Sequence, residues 1–175
     1  MIIFKTERLE IRQVTKKDLD FFIELMSAPE IIDPIPQPKL APEVIIQRFN
    51  NVTDYSIAPL LKEKVIWGVY ESGKDELIGL CAFLTNEDEN REIGYRFRKK
   101  FWGKGYGTEL TKNMITYCFT VFELDIVTAD VDTKNIGSVK ILEKFFHPFK
   151  EFYNEDDGCT DRRYILKKED WLNKQ

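Results

Sequence analysis

The chain of 175 residues is short of the residues that build metal centres, covalent frameworks and serine-type triads. It has one histidine, His147, and three cysteines, Cys81, Cys118 and Cys159, far apart and without a CxxC pair. A zinc site or a disulfide framework is therefore not expected, and a Ser-His-Asp reading has only one histidine to draw on. No apolar run approaches the length that crosses a bilayer, and the N-terminal "MIIFKTERLEIR" turns charged at Lys5, too early for a signal-peptide apolar region. The expectation is a cytoplasmic protein with no membrane partner. Basic residues are no more abundant than acidic ones, 26 against 30, so there is no general footprint for nucleic acid. Repeats, low-complexity tracts and linkers are also missing, which predicts one domain over residues 1–175.

What is present is core-forming material. Hydrophobic residues make up 43% of the chain, including 13 Phe, 7 Tyr and 3 Trp. "ERLEIRQV" (7–14) alternates like a half-buried strand. Thr15 and Asp18 form a capping-box-like start for a helix whose apolar face is Leu19, Phe22, Ile23 and Met26. Prolines 29, 34, 36, 38 and 42 rule out a long regular element across the next section, and Pro42 suits the first turn of a helix over 42–56. Strand-like runs at 64–71, 76–85 and 90–98 are separated at hairpin distances and predict an antiparallel meander. A helix over 108–122, a strand over 124–131, a helix over 135–146 and two closing strands complete the order β-α-α-β-β-β-α-β-α-β-β. Antiparallel strands followed by a β-α-β crossover mean a mixed α/β sheet.

The chemistry-bearing stretch is "YRFRKKFWGKGYGTELTK" (95–112), with Gly103, Gly105 and Gly107 between a strand and a helix. Glycines there permit positive φ, so backbone N–H groups and the helix dipole can converge on an anion. Arg96, Arg98, Lys99, Lys100 and Lys104 add positive charge nearby. The spacing fits neither GxxxxGK[ST] nor GxGxxG. An ordinary tight turn remains the alternative on spacing alone.

The neighbouring residues resemble the GNAT superfamily of N-acetyltransferases, whose acetyl-CoA pyrophosphate loop reads Q/R-x-x-G-x-G/A. Trp102 stands in the Gln/Arg position, with Gly105 and Gly107 as the small residues. That Trp is similar to the branch of ribosomal-protein N-terminal acetyltransferases, the RimJ/RimL-like branch. "DTKNIGSVKILEKFF" (132–146) resembles the same branch's N-x-x-S-x-x-x-L-E-K-x-G-F.

The resemblance implies an acyl-CoA N-acyltransferase fold whose fourth and fifth main strands splay to admit acetyl-CoA. It implies pantetheine pairing by the backbone of Arg96, Phe97 and Arg98. The pyrophosphate would be held by residues Trp102, Gly103, Lys104, Gly105, Tyr106, Gly107 and Thr108, and the pantetheine arm by Asn135, which also reads as a helix N-cap. Glu92 is the candidate general base, its alternative being a strand-edge carboxylate paired with Arg91 or another cation; Glu30 and Asp33 could substitute. Ser138 is the candidate donor to the departing thiolate, or else a small residue for close packing. The usual acid, a Tyr seven positions after the Asn, is Leu142 here. Phe146, His147 and Pro148 replace a glycine turn and imply a different, longer helix exit beside the acceptor. The implied activity is acetyl transfer from acetyl-CoA, with no metal, to a primary amine on a small molecule or peptide: a protein N-terminus, polyamine, amino acid or aminoglycoside. The acidic loop "NEDDG" (154–158) hints at a cationic acceptor. A non-catalytic acyl-CoA-binding module is the alternative, and the protein would be a monomer or homodimer.

Overall fold

The expected first strand is shorter than its alternating pattern, and another strand precedes it. In the computed structural model, which describes residues 1–35, 39–54, 64–155 and 157–173, β1 (Ile2–Lys5) folds antiparallel onto β2 (Leu9–Arg12). This hairpin changes the burial of β2. Glu10, on the alternation a solvent-facing residue, is buried and pairs with Lys5 at 2.9 Å.

The meander is as expected: β3 (Val65–Glu71), β4 (Leu77–Thr85) and β5 (Arg91–Phe97) pair antiparallel in sequence. Helix α4 (Tyr106–Thr120) then crosses over to β6 (Ile126–Asp132), which lies parallel to β5. After helix α5 (Ile136–Leu142) the chain forms β7 (His147–Asn154) and β8 (Cys159–Lys167). The returning β8 inserts beside β6 and leaves β7 outermost, so the sheet order is β1-β2-β3-β4-β5-β6-β8-β7. A mixed α/β sheet, mostly antiparallel, is the result.

Helices cover both faces. On one face, α1 (Leu19–Ser27) and α3 (Pro42–Thr53) bury Phe22, Leu25, Ile45 and Phe49 against Tyr70, Leu77 and Leu80. On the other, α4 buries Leu110, Met114, Ile115, Cys118 and Phe119 against Val69, Cys81, Phe83 and Val127. Burial from two sides is why β4 reads as the unbroken apolar run "LIGLCAFL" rather than an alternation. Asp18 fixes the start of α1. Its Oδ2 accepts from the Thr15 N–H at 2.7 Å, the Thr15 hydroxyl at 2.8 Å and the Tyr70 hydroxyl at 2.8 Å.

Helix α4 and strand β6 are each displaced by about two residues from the expected ranges, and larger differences fall in the helices around them. Helix α3 ends at Thr53; the remainder of the predicted 42–56 helix runs into residues 55–63, outside the described residues. The proline section holds one helical turn, α2 (Pro29–Ile32), while Pro36 and Pro38 lie outside the described residues. Helix α5 ends at Leu142, not 146. Its exit is short and needs no left-handed residue: the N–H groups of Phe145 and Phe146 both donate to the Leu142 carbonyl, and β7 begins at His147. Phe146 is buried in the core, so the residue replacing the glycine acts as a hydrophobic plug.

The feature that builds the site is an incomplete pairing. β5 and β6 are in register only at Arg91–Val127 and Glu92–Thr128. Thr128 Oγ1 donates to the Arg91 carbonyl at 3.2 Å and accepts from Asn86 Nδ2 at 3.1 Å, which closes that end of the seam. From Ile93 onward the two strands part.

Candidate active site

The glycine loop crosses the wide end of the gap between β5 and β6. Gly103 and Gly105 have φ of +73° and +81°, a region where a Cβ is strained, and Gly105 is the N-cap of α4. Gly107 serves packing instead. A Cβ there would lie 2.8 Å from Ile141 Cδ1, so the glycine allows α4 and α5 to approach. The first helical N–H groups, at Tyr106, Gly107 and Thr108, have no intrahelical acceptor and carry the positive end of the dipole. Trp102 turns its indole N–H onto the Phe97 carbonyl at 2.8 Å, pinning the loop to the end of β5.

These elements line a cavity of about 450 Å³ walled by Trp102, Gly103, Gly105, Gly107, Thr108 and Ile141. The loop's geometry suits a pyrophosphate: two left-handed glycines, open space around Gly103, and free N–H groups at a fifteen-residue helix. A CoA-type group therefore fits the residues present. Strand alternation supplies the rest. Arg98 N–H donates to the Ile78 carbonyl at 2.9 Å, so the register turns the backbone groups of Arg96 toward β4 and those of Tyr95 and Phe97 into the gap.

A second cavity, of about 500 Å³, lies over the α1/α3 face of the sheet and is lined by Glu92, Gly94, Arg48, Lys64 and Asp130 among others. The two cavities share Tyr95, Arg96, Asn135 and Ser138. Asn135 caps α5, accepting from the Ser138 N–H at 3.2 Å, and its amide donates to the Pro34 carbonyl at 3.1 Å. The Tyr95 hydroxyl is buried beside Ser138 and Thr111, within their electrostatic reach but outside hydrogen-bond geometry.

Glu92 is half-buried, and burial, reinforced by the nearby Asp130 charge, pushes its carboxyl up to about 7. Arg163 opposes this. It is almost fully buried and pairs with Asp130 at 2.6 Å and Glu87 at 2.8 Å, and also with Asp88. Among the described residues no ion pair neutralises Glu92, and the alternative partner Arg91 lies over the Phe122 ring, 5.5 Å from its centroid.

Not every sequence candidate gathers at the gap. The Arg98 guanidinium is committed to Glu24 at 2.8 Å and Glu76 at 2.6 Å, on the other side of β5. Lys104 lays its ammonium over the Phe101 ring, and Tyr106 donates its hydroxyl to Glu71. Neither Glu30 nor Asp33 lines either of these two cavities; both are exposed. Leu142 lines the second cavity as an apolar wall. Two contributors were absent from the sequence reading. Arg8 donates to the Lys104 carbonyl at 2.9 Å and to Glu109 at 2.7 Å, bracing the loop from β2's approach. Lys144 reaches the Thr108 hydroxyl at 3.2 Å, placing an ammonium at the helix start. Each acts across a long sequence separation, which leaves no local signal.

The chain is similar to known proteins in sequence and in fold. The model of an acetyltransferase (GNAT) domain matches residues 8–145. An uncharacterized N-acetyltransferase, p20, of Bacillus licheniformis is 31% identical over 144 residues, covering 78% of this chain and 77% of its own. The crystal structure of a GNAT-family acetyltransferase from Bacillus anthracis superposes with a TM-score of 0.80 at 23% identity, over 97% of this chain and 99% of that one. Spermidine N-acetyltransferase from Vibrio cholerae, solved with CoA and spermine, superposes with a TM-score of 0.75 at 19% identity, over 94% and 98%. The extent of the family match, joined to a split sheet with a glycine loop at its mouth, shows that the chain belongs to the GNAT family of N-acetyltransferases.

Proposed function

We propose that the protein transfers an acetyl group from acetyl-CoA to a primary amine by direct attack in a ternary complex. The observation that carries this is the meeting of two cavities in the β5–β6 gap, with a carboxyl poised near neutrality in the second cavity. Acetyl-CoA would supply an activated thioester carbonyl. The backbone N–H groups from Gly103 to Thr108 would hold its phosphates, with Thr108 adding a hydroxyl and Lys144 an ammonium. The Tyr95 carbonyl and the Phe97 N–H face the pantetheine arm, and Asn135 offers its amide.

The amine enters through the second cavity. Glu92, titrating near 7, takes a proton from the ammonium at neutral pH, directly or through water. Alignment of the two reactants supplies much of the acceleration. The N–H of Tyr95, on the gap side of β5 and nearer Glu92, is directed toward the oxyanion that forms at the carbonyl. Ser138, at the junction, donates a hydrogen bond to the departing thiolate, with the Tyr95 hydroxyl beside it. In this reading residues 1–175 form one domain working in the cytoplasm.

The test is CoA thiol release against a panel of amino acids, polyamines, aminoglycosides and N-terminal peptides, with CoA binding by calorimetry. Acceptor-dependent release supports the transferase. CoA binding without release from any acceptor supports an acyl-CoA-binding module instead, and absence of CoA binding refutes both.

A further inference from the structure

The second cavity carries a charge pattern that bears on the acceptor, provided that the transferase reading holds. Most of its acids are already engaged. Asp130 and Glu87 are held by Arg163, while Asp157 and Asp161 accept from Asn154 Nδ2 at 2.9 and 3.0 Å. Glu92 is left as the carboxyl without a described ion pair. Opposite it stand three cations, Arg48, Lys64 and Arg96, and among the described residues no ion pair joins Arg48 or Lys64 to a carboxylate. A cavity that is acidic by count is therefore cationic at one end.

The register places these charges. Val65 pairs with Phe83 and Leu84 with Glu92, so Lys64, Leu84 and Glu92 form one row across β3, β4 and β5 on the α1/α3 face. At the usual strand spacing Lys64 and Glu92 have Cα atoms about 10 Å apart, with both side chains lining the cavity over Leu84. Arg96 lies further along the same face of β5, and Arg48 comes from α3 above. Burial together with mutual repulsion lowers the Lys64 ammonium pKa and that of the Arg96 guanidinium, as expected where cations share one site. The intervening walls, Phe22, Met26, Ile66 and Leu80, are apolar.

We infer that the acceptor is a free amino acid with an apolar side chain, its amine at Glu92 and its carboxylate held by Lys64 and Arg48. A polyamine is disfavoured, since its second ammonium would meet the cationic end. Charged hydrogen bonds to a carboxylate at a partly desolvated site are strong enough to set such a preference.

The test uses the full chain saturated with CoA and compares N-acetyl-leucine with N-acetyl-leucinamide by calorimetry. The acid should bind at least about tenfold more tightly than the amide. In Lys64→Ala/Arg48→Ala that ratio should fall to about one, and in Lys64→Glu it should reverse. CoA binding by each variant reports that it is folded. Equal binding of acid and amide, a ratio that survives Lys64→Glu, or binding of neither compound overturns the inference. The transferase reading is separable: if the acid binds through Lys64 but leucine is not acetylated, the carboxylate site stands and transfer falls. If polyamines or amides are acetylated and the acid has no advantage, transfer stands and this inference falls.

Discussion

Replacing Glu92 with Gln should make the protein more stable and less active, both effects arising from one buried charge. The carboxyl titrates near 7 in the folded chain against 4.5 for the free side chain, so between those pH values the folded state holds a proton that the unfolded state has released. The resulting contribution to stability is present below about pH 4.5 and is lost as pH rises through about 7. At about 1.4 kcal/mol for each tenfold change in a protonation equilibrium, the displacement corresponds to about 3 kcal/mol. Solvent reaching a half-buried side chain reduces the realised value to about 1–3 kcal/mol. Gln has the same shape and no proton to release. Urea denaturation midpoints of the two proteins should therefore converge near pH 4.5 and separate progressively up to about pH 8, with the variant ahead. In the same variant kcat/KM should fall by about 10²–10⁴-fold, and the rise in rate through about pH 7 should disappear. Parallel denaturation profiles at every pH would refute the desolvation argument. A variant that keeps both the rate and its inflection would refute the assignment of Glu92 as base.

Three further substitutions probe the surrounding structure. Arg163→Met strands the largely buried Asp130, while Asp88 and Glu87 keep Lys150; stability measured by denaturation should fall by about 3 kcal/mol, and the kinetic inflection should move to higher pH because Arg163 restrains Glu92. Gly105→Ala forces a Cβ into a left-handed residue at about 1–2 kcal/mol, and calorimetry should show CoA binding weakened by about tenfold or more; unchanged affinity would mean the loop only turns the chain. A Cβ at Gly94 meets nothing within 4 Å, so Gly94→Val should leave stability within about 0.5 kcal/mol while raising acceptor KM with CoA affinity retained.

Much of this architecture is written locally. The meander, the α4 crossover and the cap at Asn135 follow from periodicity, turn composition and helix-start chemistry, each carried by neighbouring residues. The glycine loop was legible as a candidate anion site, although spacing alone did not separate Gly107, which serves helix packing, from Gly103 and Gly105. The rest depends on contacts between distant segments. The pairing of β1 with β2 buries Glu10 against the alternation, and the insertion of β8 inside β7 cannot be read from two consecutive strands. Phe146 looked like a missing glycine because local rules describe how a helix ends, not which cavity in the core awaits a side chain. Arg8, Lys144 and the row joining Lys64 to Glu92 are products of tertiary register. No single window of sequence contains them.

The early parting of β5 and β6 has a consequence for how the molecule responds over time. Two half-sheets, β1–β5 and β6–β8, are stitched at Arg91–Glu92 and Val127–Thr128, and the facing backbone edges beyond are interior yet unpaired with each other. Amide protons of Tyr95 and Phe97 should exchange with deuterium faster than those of Arg96 and Arg98 on the same strand, giving an every-second-residue pattern of protection. A bound extended ligand that accepts from those amides would even out the pattern, so the seam itself records occupancy residue by residue.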